Sequence, residues 1–213
     1  MPLLRPTEQF THAASPVLRD AAVEDAFARA KAGDRASFGK VAQQLQVRLY
    51  NIALRMLGNA DDAGEVVQET FAKGLASLDS HRGESGAYTW LCRIAMNLAI
   101  SRKRQAHSRG RTMSIDAETA SDQSSALRQR LEGREPSPEE TAERSEEVVR
   151  VREALARVTP EHRAVLVMRE IDGINYQEIA DVLELPLNTL KSRLFRAREE
   201  LRKELMKSEK PTR

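Results

Sequence analysis

Apolar residues recur at intervals of three and four through most of this chain, the period of an amphipathic helix rather than the alternation of a half-buried strand. A first helix is expected over about Val23 to Ala32, stopped at Gly33. A second starts near Arg35 and carries Phe38, Val41, Leu45, Leu49, Ile52 and Met56 on one stripe until Gly58. Asn59 is placed to cap a third, with Asp61 and Asp62 in the first turn where negative charge suits the helix dipole. Val66, Val67, Phe71, Leu75 and Leu78 form its expected inner face. After the turn-rich "SHRGESG" a fourth helix runs from about Tyr88 to Arg104, with Leu91, Ile94, Ala95 and Leu98 on one face. Periodicity returns at Val148, predicting helices at about 146–158, 160–171, 175–183 and 187–206, with Pro160 in a first turn that needs no N–H from it. Strand signals are poor, so the fold is all-α.

Between these blocks the character changes. From Met113 to Glu147 there are ten acidic residues against four basic, and eight hydrophobic residues among 35. Such a stretch buries too little apolar surface to offset its ordering entropy, so it reads as a flexible acidic linker with at most a transient helix near Ser125 to Leu131. The expected organisation is a flexible extension over 1–20, a helical module over 21–105, the linker over 106–145, a second module over 146–207 and a tail over 208–213. No apolar run approaches the roughly 18 residues that span a bilayer, which argues against membrane insertion, and the N-terminus lacks the apolar core of a signal peptide. The single Cys92 excludes an internal disulfide framework and a multi-cysteine zinc site, and fits a reducing cytoplasm. His12, His81, His107 and His162 are scattered, and no nucleophile–base pair, metal cluster or Gly-rich phosphate loop appears, so no enzymatic activity, metal or cofactor is expected.

The segment "YQEIADVLELPLNTLKSRLFRAR" holds two helical patterns separated by Glu184-Leu185-Pro186. Ile179, Ala180 and Leu183 form the inner face of the first; Leu187, Leu190, Leu194, Ala197, Leu201 and Leu205 make one stripe on the second. From Leu187 to Arg213 nine Lys or Arg stand against four Glu, so the overall formal charge of +2 hides a basic end. A helix about 10–12 Å wide fits a major groove about 12 Å across. In a helix-turn-helix the start of the second helix meets base edges. Those positions are Asn188, Thr189, Lys191, Ser192 and Arg193, with Arg196 and Arg198 placed for phosphates.

"DAGEVVQETFAKGLASL", "RGESGAYTWLCRIAMNLAISRKR" and "YQEIADVLELPLNTLKSRLFRAREEL", in this order, resemble regions 2.2, 2.3–2.4 and 4.2 of the extracytoplasmic-function (ECF) sigma factors, over about residues 22–104 and 146–206. The resemblance implies a sigma region 2 bundle joined to a region 4 helix-turn-helix, directing core RNA polymerase to promoters by −10 and −35 recognition. It implies contact of the third helix with the polymerase β′ clamp helices through Asp62, Glu65, Gln68, Glu69, Phe71 and Lys73, and contact of region 4 with the β flap. It implies a −10 reader built from Arg82, Gly83, Glu84, Ser85, Tyr88, Arg93, Asn97, Ser101, Lys103 and Arg104, which captures an extruded base and neutralises phosphate. A lone Trp90 beside Leu91 and Ile94 reads as core rather than DNA contact. The partners implied are core RNA polymerase, promoter DNA and an anti-sigma factor.

Three positions depart from the family pattern. Ala87 stands where Phe is common, Glu184 at the usual Gly of the turn, and Asn188 at a frequent Gly, where it is placed as a base contact or an N-cap. If the turn requires positive φ, Glu184 is strained. A different reading is a stand-alone helix-turn-helix regulator whose first module dimerises or senses a signal.

Overall fold

The computed structural model describes residues 20–83, 85–109 and 138–208, with side chains described over 20–83, 85–106 and 147–207. Residues 1–19 of the N-terminal extension, the segment 110–137 with the helix expected near Ser125 to Leu131, the last five residues and the candidate Glu84 lie outside the described residues. Among the described residues every regular element is helical, in keeping with the expected fold class.

Helix α1 (Ala21–Lys31) is capped by Asp20, whose carboxylate accepts from the Ala22 N–H at 2.9 Å. Helix α2 (Ala36–Leu57) stops at Gly58, where φ is +80°. Asn59 caps α3 (Ala60–Ser77), its Oδ1 accepting from the amides of Asp61 and Asp62. A single 3₁₀ turn (Leu78–Ser80) leads to α4 (Ala87–Arg109), and the second block follows as α5 (Pro138–Arg157) and α6 (Pro160–Leu166). A wider turn (Val167–Ile171), closed by the Asp172 N–H on the Val167 carbonyl, ends α6 and replaces the uninterrupted helix expected over 160–171. Helices α7 (Tyr176–Leu183) and α8 (Leu187–Ser208) complete the chain. Helix α4 outruns its expected end at Arg104. Helix α5 starts inside the segment expected as linker, where Pro138 followed by Glu139 and Glu140 is a favourable helix start.

In the first module α2 supplies the central stripe, Val41, Leu45, Leu49, Ile52 and Met56, all within 2% of full burial. The inner face of α3 differs from expectation. It passes through Ala63, Val66, Val67, Thr70 and Gly74, while Leu75 is 38% exposed and Phe71 only half-buried. The reason is close approach: a Cβ on Gly74 would lie 2.7 Å from Leu91 Cδ2 and 3.1 Å from Phe38 Cζ. The Thr70 hydroxyl is satisfied within the helix by the Val66 carbonyl at 2.7 Å. In the second module Leu155, Leu166, Met168, Ile179, Leu190 and Leu194 form the core. The two modules also touch: α4 packs on α6 and α7, and α2 on the wide turn.

Candidate nucleic-acid interface

The helix-turn-helix is locally well determined. Asn175 Oδ1 accepts from the Glu178 amide at 2.9 Å, and the Glu178 carboxylate accepts from the Asn175 amide, a reciprocal capping box that starts α7. Helix α7 ends at Glu184 with φ +53° and ψ 46°, so the turn does take positive φ there and the side chain sits in the left-handed region. Leu190, Leu194 and Ala197 are buried beneath α8, which leaves Asn188, Thr189, Lys191, Ser192 and Arg196 exposed and Arg193 half-exposed. Thr189, Ser192, Arg193 and Arg196 line an open polar cleft with Thr159, Glu161 and His162. Glu200 ties this cleft to α8: it accepts from the Thr159 amide at 2.9 Å and hydroxyl at 3.1 Å, and bonds His162 Nδ1. Partial burial of Glu200 opposes its ionisation, but these bonds together outweigh it and hold the carboxyl below its usual range. Arg198, expected on phosphate, bonds Glu170 at 2.7 Å. Phe195, not singled out from sequence, is 67% exposed on the outer face of α8.

The expected −10 reader is only partly open. Asn97, Ser101, Arg82 and Gly83 are exposed, and Ser85 is half-exposed. Tyr88 is a correction: it is 5% exposed, covered by the Arg48 guanidinium 4.0 Å above its ring, and burial raises its hydroxyl pKa far above the usual value. It faces inward because α4 turns Ala87, Tyr88, Leu91, Cys92 and Ala95 to the core. Lys103 points back at the C-terminus of α2, donating to the Leu57 carbonyl at 3.2 Å; burial, then the nearby Arg163 charge, push its ammonium down to about 8. Arg93 donates to Glu184 Oε1 at 2.9 Å and to the Asp181 carbonyl at 2.8 Å, and Arg104 pairs with Glu161, so the second module holds both.

Trp90, expected in the core, is half-buried at its edge, in a cluster that sequence could not foresee. The rings of Phe27, His81 and Trp90 lie 5.1–5.5 Å apart, Phe27 standing more than fifty residues before the other two in sequence. Burial, with the neighbouring Lys31 charge, holds His81 below its usual pKa. Glu24 of α1 caps α4, accepting from the Ala87 N–H at 2.9 Å, and Gly86 leaves room for it.

On α3, Asp62 and Gln68 are exposed as expected, but the acidic face carries its own cation. Arg102 donates to Glu65 at 2.7 Å and to Glu69 at 3.2 Å, and Lys73 reaches Glu69 at 3.0 Å. The Lys73 bond first, then that of Arg102, keeps the Glu69 carboxyl below its usual range. Phe71 packs edge-on against Phe38, with centroids 6.5 Å apart, which diverts much of its surface from any partner. Cys92 is fully buried, and burial pushes its thiol up to about 12. Among the described residues no group of three His, Cys, Asp or Glu is arranged to hold a metal, and no helix is long and apolar enough to cross a membrane.

A helical bundle carrying a helix-turn-helix with outward cations matches two family models, "Sigma-70 region 2" over residues 41–109 and "Sigma-70, region 4" over residues 149–201. The RNA polymerase sigma-H factor of Pseudomonas aeruginosa is 33% identical over 177 residues, 83% of this chain and 90% of that protein. The ECF sigma-E factor of Escherichia coli K12 is 35% identical over 174 residues, 80% and 87% of the two chains, and ECF sigma factor SigW of Bacillus subtilis is 30% identical over 175 residues, 82% and 92%. The fold is shared with CnrH, solved with the cytosolic domain of CnrY, at a TM-score of 0.59 and 24% identity over 89% of this chain and 99% of that one. The sigma factor RpoE of Bartonella quintana, solved with the anti-sigma factor NepR, gives 0.52 and 22% over 79% and 97%. The chain belongs to the ECF RNA polymerase sigma factors. Both modules are covered by such relatives, which favours this identity over a stand-alone regulator.

Proposed function

We propose that this chain directs core RNA polymerase to promoters by reading the −35 element with α8 and the −10 element with the 82–85 loop and α4. The observation that carries the reading is the outward presentation of Asn188, Thr189, Lys191 and Ser192 on a helix anchored by Leu190 and Leu194. With Arg193 these are donors and acceptors of a length that meets base edges, while Arg196 and Arg198 supply cations for flanking phosphates. In the first module Arg82, Gly83 and Ser85 frame the base-capture loop, with Glu84 between them. Arg93, Asn97, Ser101, Lys103 and Arg104 offer the donors along α4. Asp62, Glu65, Gln68, Glu69 and Lys73 form the face for the β′ clamp helices, basic groups of the clamp exchanging with Arg102, while region 4 takes the β flap.

The acidic segment between the modules imitates nucleic acid near the RNA exit path. Domain limits follow the sequence reading, 21–105 and 146–207, with the second module's first helix reaching back to Pro138. The chain works in the cytoplasm, is held by an anti-sigma factor, and performs no chemistry itself, catalysis belonging to the polymerase.

Run-off transcription with purified core polymerase tests this. Lys191→Ala and Arg193→Ala should each weaken promoter use about 5- to 150-fold, the equivalent of about 1–3 kcal/mol per base-edge contact. If initiation survives their loss combined with charge reversal at Glu65 and Glu69, the reading is wrong.

A further inference from the structure

Thr189, Arg193, Arg196 and Glu200 follow one another along α8 at spacings of four, three and four, so they form one row on the helix surface. The first three line the polar cleft against the start of α6. Glu200 ends the row, and its carboxylate crosses to the opposite wall. Oε1 accepts from the Thr159 amide at 2.9 Å, while Oε2 accepts from the Thr159 hydroxyl at 3.1 Å and bonds His162 Nδ1. Thr159 stands at the N-cap of α6, yet its side chain makes no capping bond to that helix. Its hydroxyl serves Glu200 instead.

The other contacts of α8 constrain its tilt less closely. Leu190, Leu194 and Ala197 hold the helix down, but burial of apolar surface is non-directional and tolerates a small rotation. The bond of Arg198 to Glu170 at 2.7 Å is a second polar tie, between side chains 48% and 41% exposed. His162 and Glu200 are 25% and 26% exposed. Water and salt compete more strongly for the outer pair, so the inner one is the firmer constraint.

Leverage makes this constraint matter. Asn188 lies twelve residues before Glu200, roughly 18 Å along the helix axis. A tilt of about 5° around the Glu200 end carries Asn188 through roughly 1.5 Å, against a hydrogen-bond distance range only about 0.5 Å wide. Lys191 and Ser192 move by roughly 1 Å in the same tilt. Arg196, one turn from the pivot and long, keeps its reach to phosphate.

We propose that Glu200 is a positioning residue for −35 recognition: through Thr159 and His162 it sets the tilt at which α8 presents Asn188, Lys191 and Ser192 to base edges, while touching no base itself. The inference rests on the promoter-reading function above and deepens it. It separates discrimination from affinity, because loss of the strut misaligns base contacts and leaves phosphate contacts in place.

Holoenzyme reconstituted from purified core polymerase and the full chain is used to select from promoter duplexes randomised across the −35 window. The selected duplex and a shuffled version of it then serve as probes. In Glu200→Ala the ratio of the two affinities should fall roughly tenfold, the equivalent of about one base-edge contact, with the shuffled duplex bound within about twofold of the parent. Glu200→Gln keeps an oxygen for the Thr159 amide and should hold the ratio within about twofold of the parent. Both substitutions remove the same charge beside Arg193 and Arg196, so a purely electrostatic effect would be equal in the two. Thr159→Val, which deletes the hydroxyl bond and leaves the amide, should lower the ratio about threefold.

An unchanged ratio in Glu200→Ala, an equal loss on both probes, or Gln behaving as Ala overturns the proposal. Melting curves set a temperature at which every variant is folded; should Glu200→Ala melt too low to assay, Thr159→Val decides by the same ratio. A parent holoenzyme that selects no sequence in the window removes the promoter-reading function and this inference together. Selection by the parent with no effect of Glu200→Ala removes the positioning role alone.

Discussion

Lys103 carries the charge that a phosphate contact needs, yet its surroundings divert it: the ammonium lies half-buried on the Leu57 carbonyl, and burial brings its pKa down to about 8 from 10.5. Between those two values the unfolded chain holds a proton that the folded chain has released, so this residue makes stability rise with pH across that window; below pH 8 both states are charged and the full burial penalty remains. Lys103→Met removes the titration. The melting temperature of the parent should therefore climb relative to the Met variant between pH 8 and 10 in thermal melts followed by circular dichroism, and parallel curves would refute the assignment. Tyr88 and Arg102 show the same influence of neighbours: a tyrosine becomes core under Arg48, and an arginine of α4 neutralises the acidic face of α3.

At the scale of elements, capping explains why short helices hold their limits. Helix α7 has only eight residues, too few to be stable alone. Its start depends on the Asn175–Glu178 box and its end on the left-handed Glu184. Asn175→Ala should cost about 1 kcal/mol, a drop of several degrees in melting temperature, and weaken duplex binding by the same module because α7 sets the angle of α8. A change under about one degree would show that tertiary packing alone fixes α7. Helix α3 illustrates a different control. Gly74 admits Leu91 and Phe38, so the helix rotates its small residues inward and leaves Leu75 at the edge.

For the whole molecule, the partly exposed pairs between modules make closure sensitive to ionic strength. The Debye length falls from about 10 Å at 0.1 M salt to about 3 Å at 1 M, so Arg93–Glu184 and Arg104–Glu161 weaken, whereas Arg55–Asp172, with Asp172 mostly buried, is screened less. Small-angle scattering should show the radius of gyration increasing with salt between these limits. A constant radius would mean that apolar packing of α4 on α6 and α7 holds the modules together without the ion pairs.

Helical period, the Asn59 and Gly58 boundaries, Pro160 at a helix start and the leucine stripe of α8 were all legible in the sequence, because each depends on residues within one or two turns of each other. The helix-turn-helix and the order of its flanking segments also named the family. The sequence could not rank the candidate contacts by availability. Whether Arg93, Lys103, Arg104 or Glu65 is free depends on groups tens of residues away, and whether Trp90 meets Phe27 and His81 depends on how three segments converge. Local spacing determines which face a side chain takes; only the packed chain determines what already occupies that face.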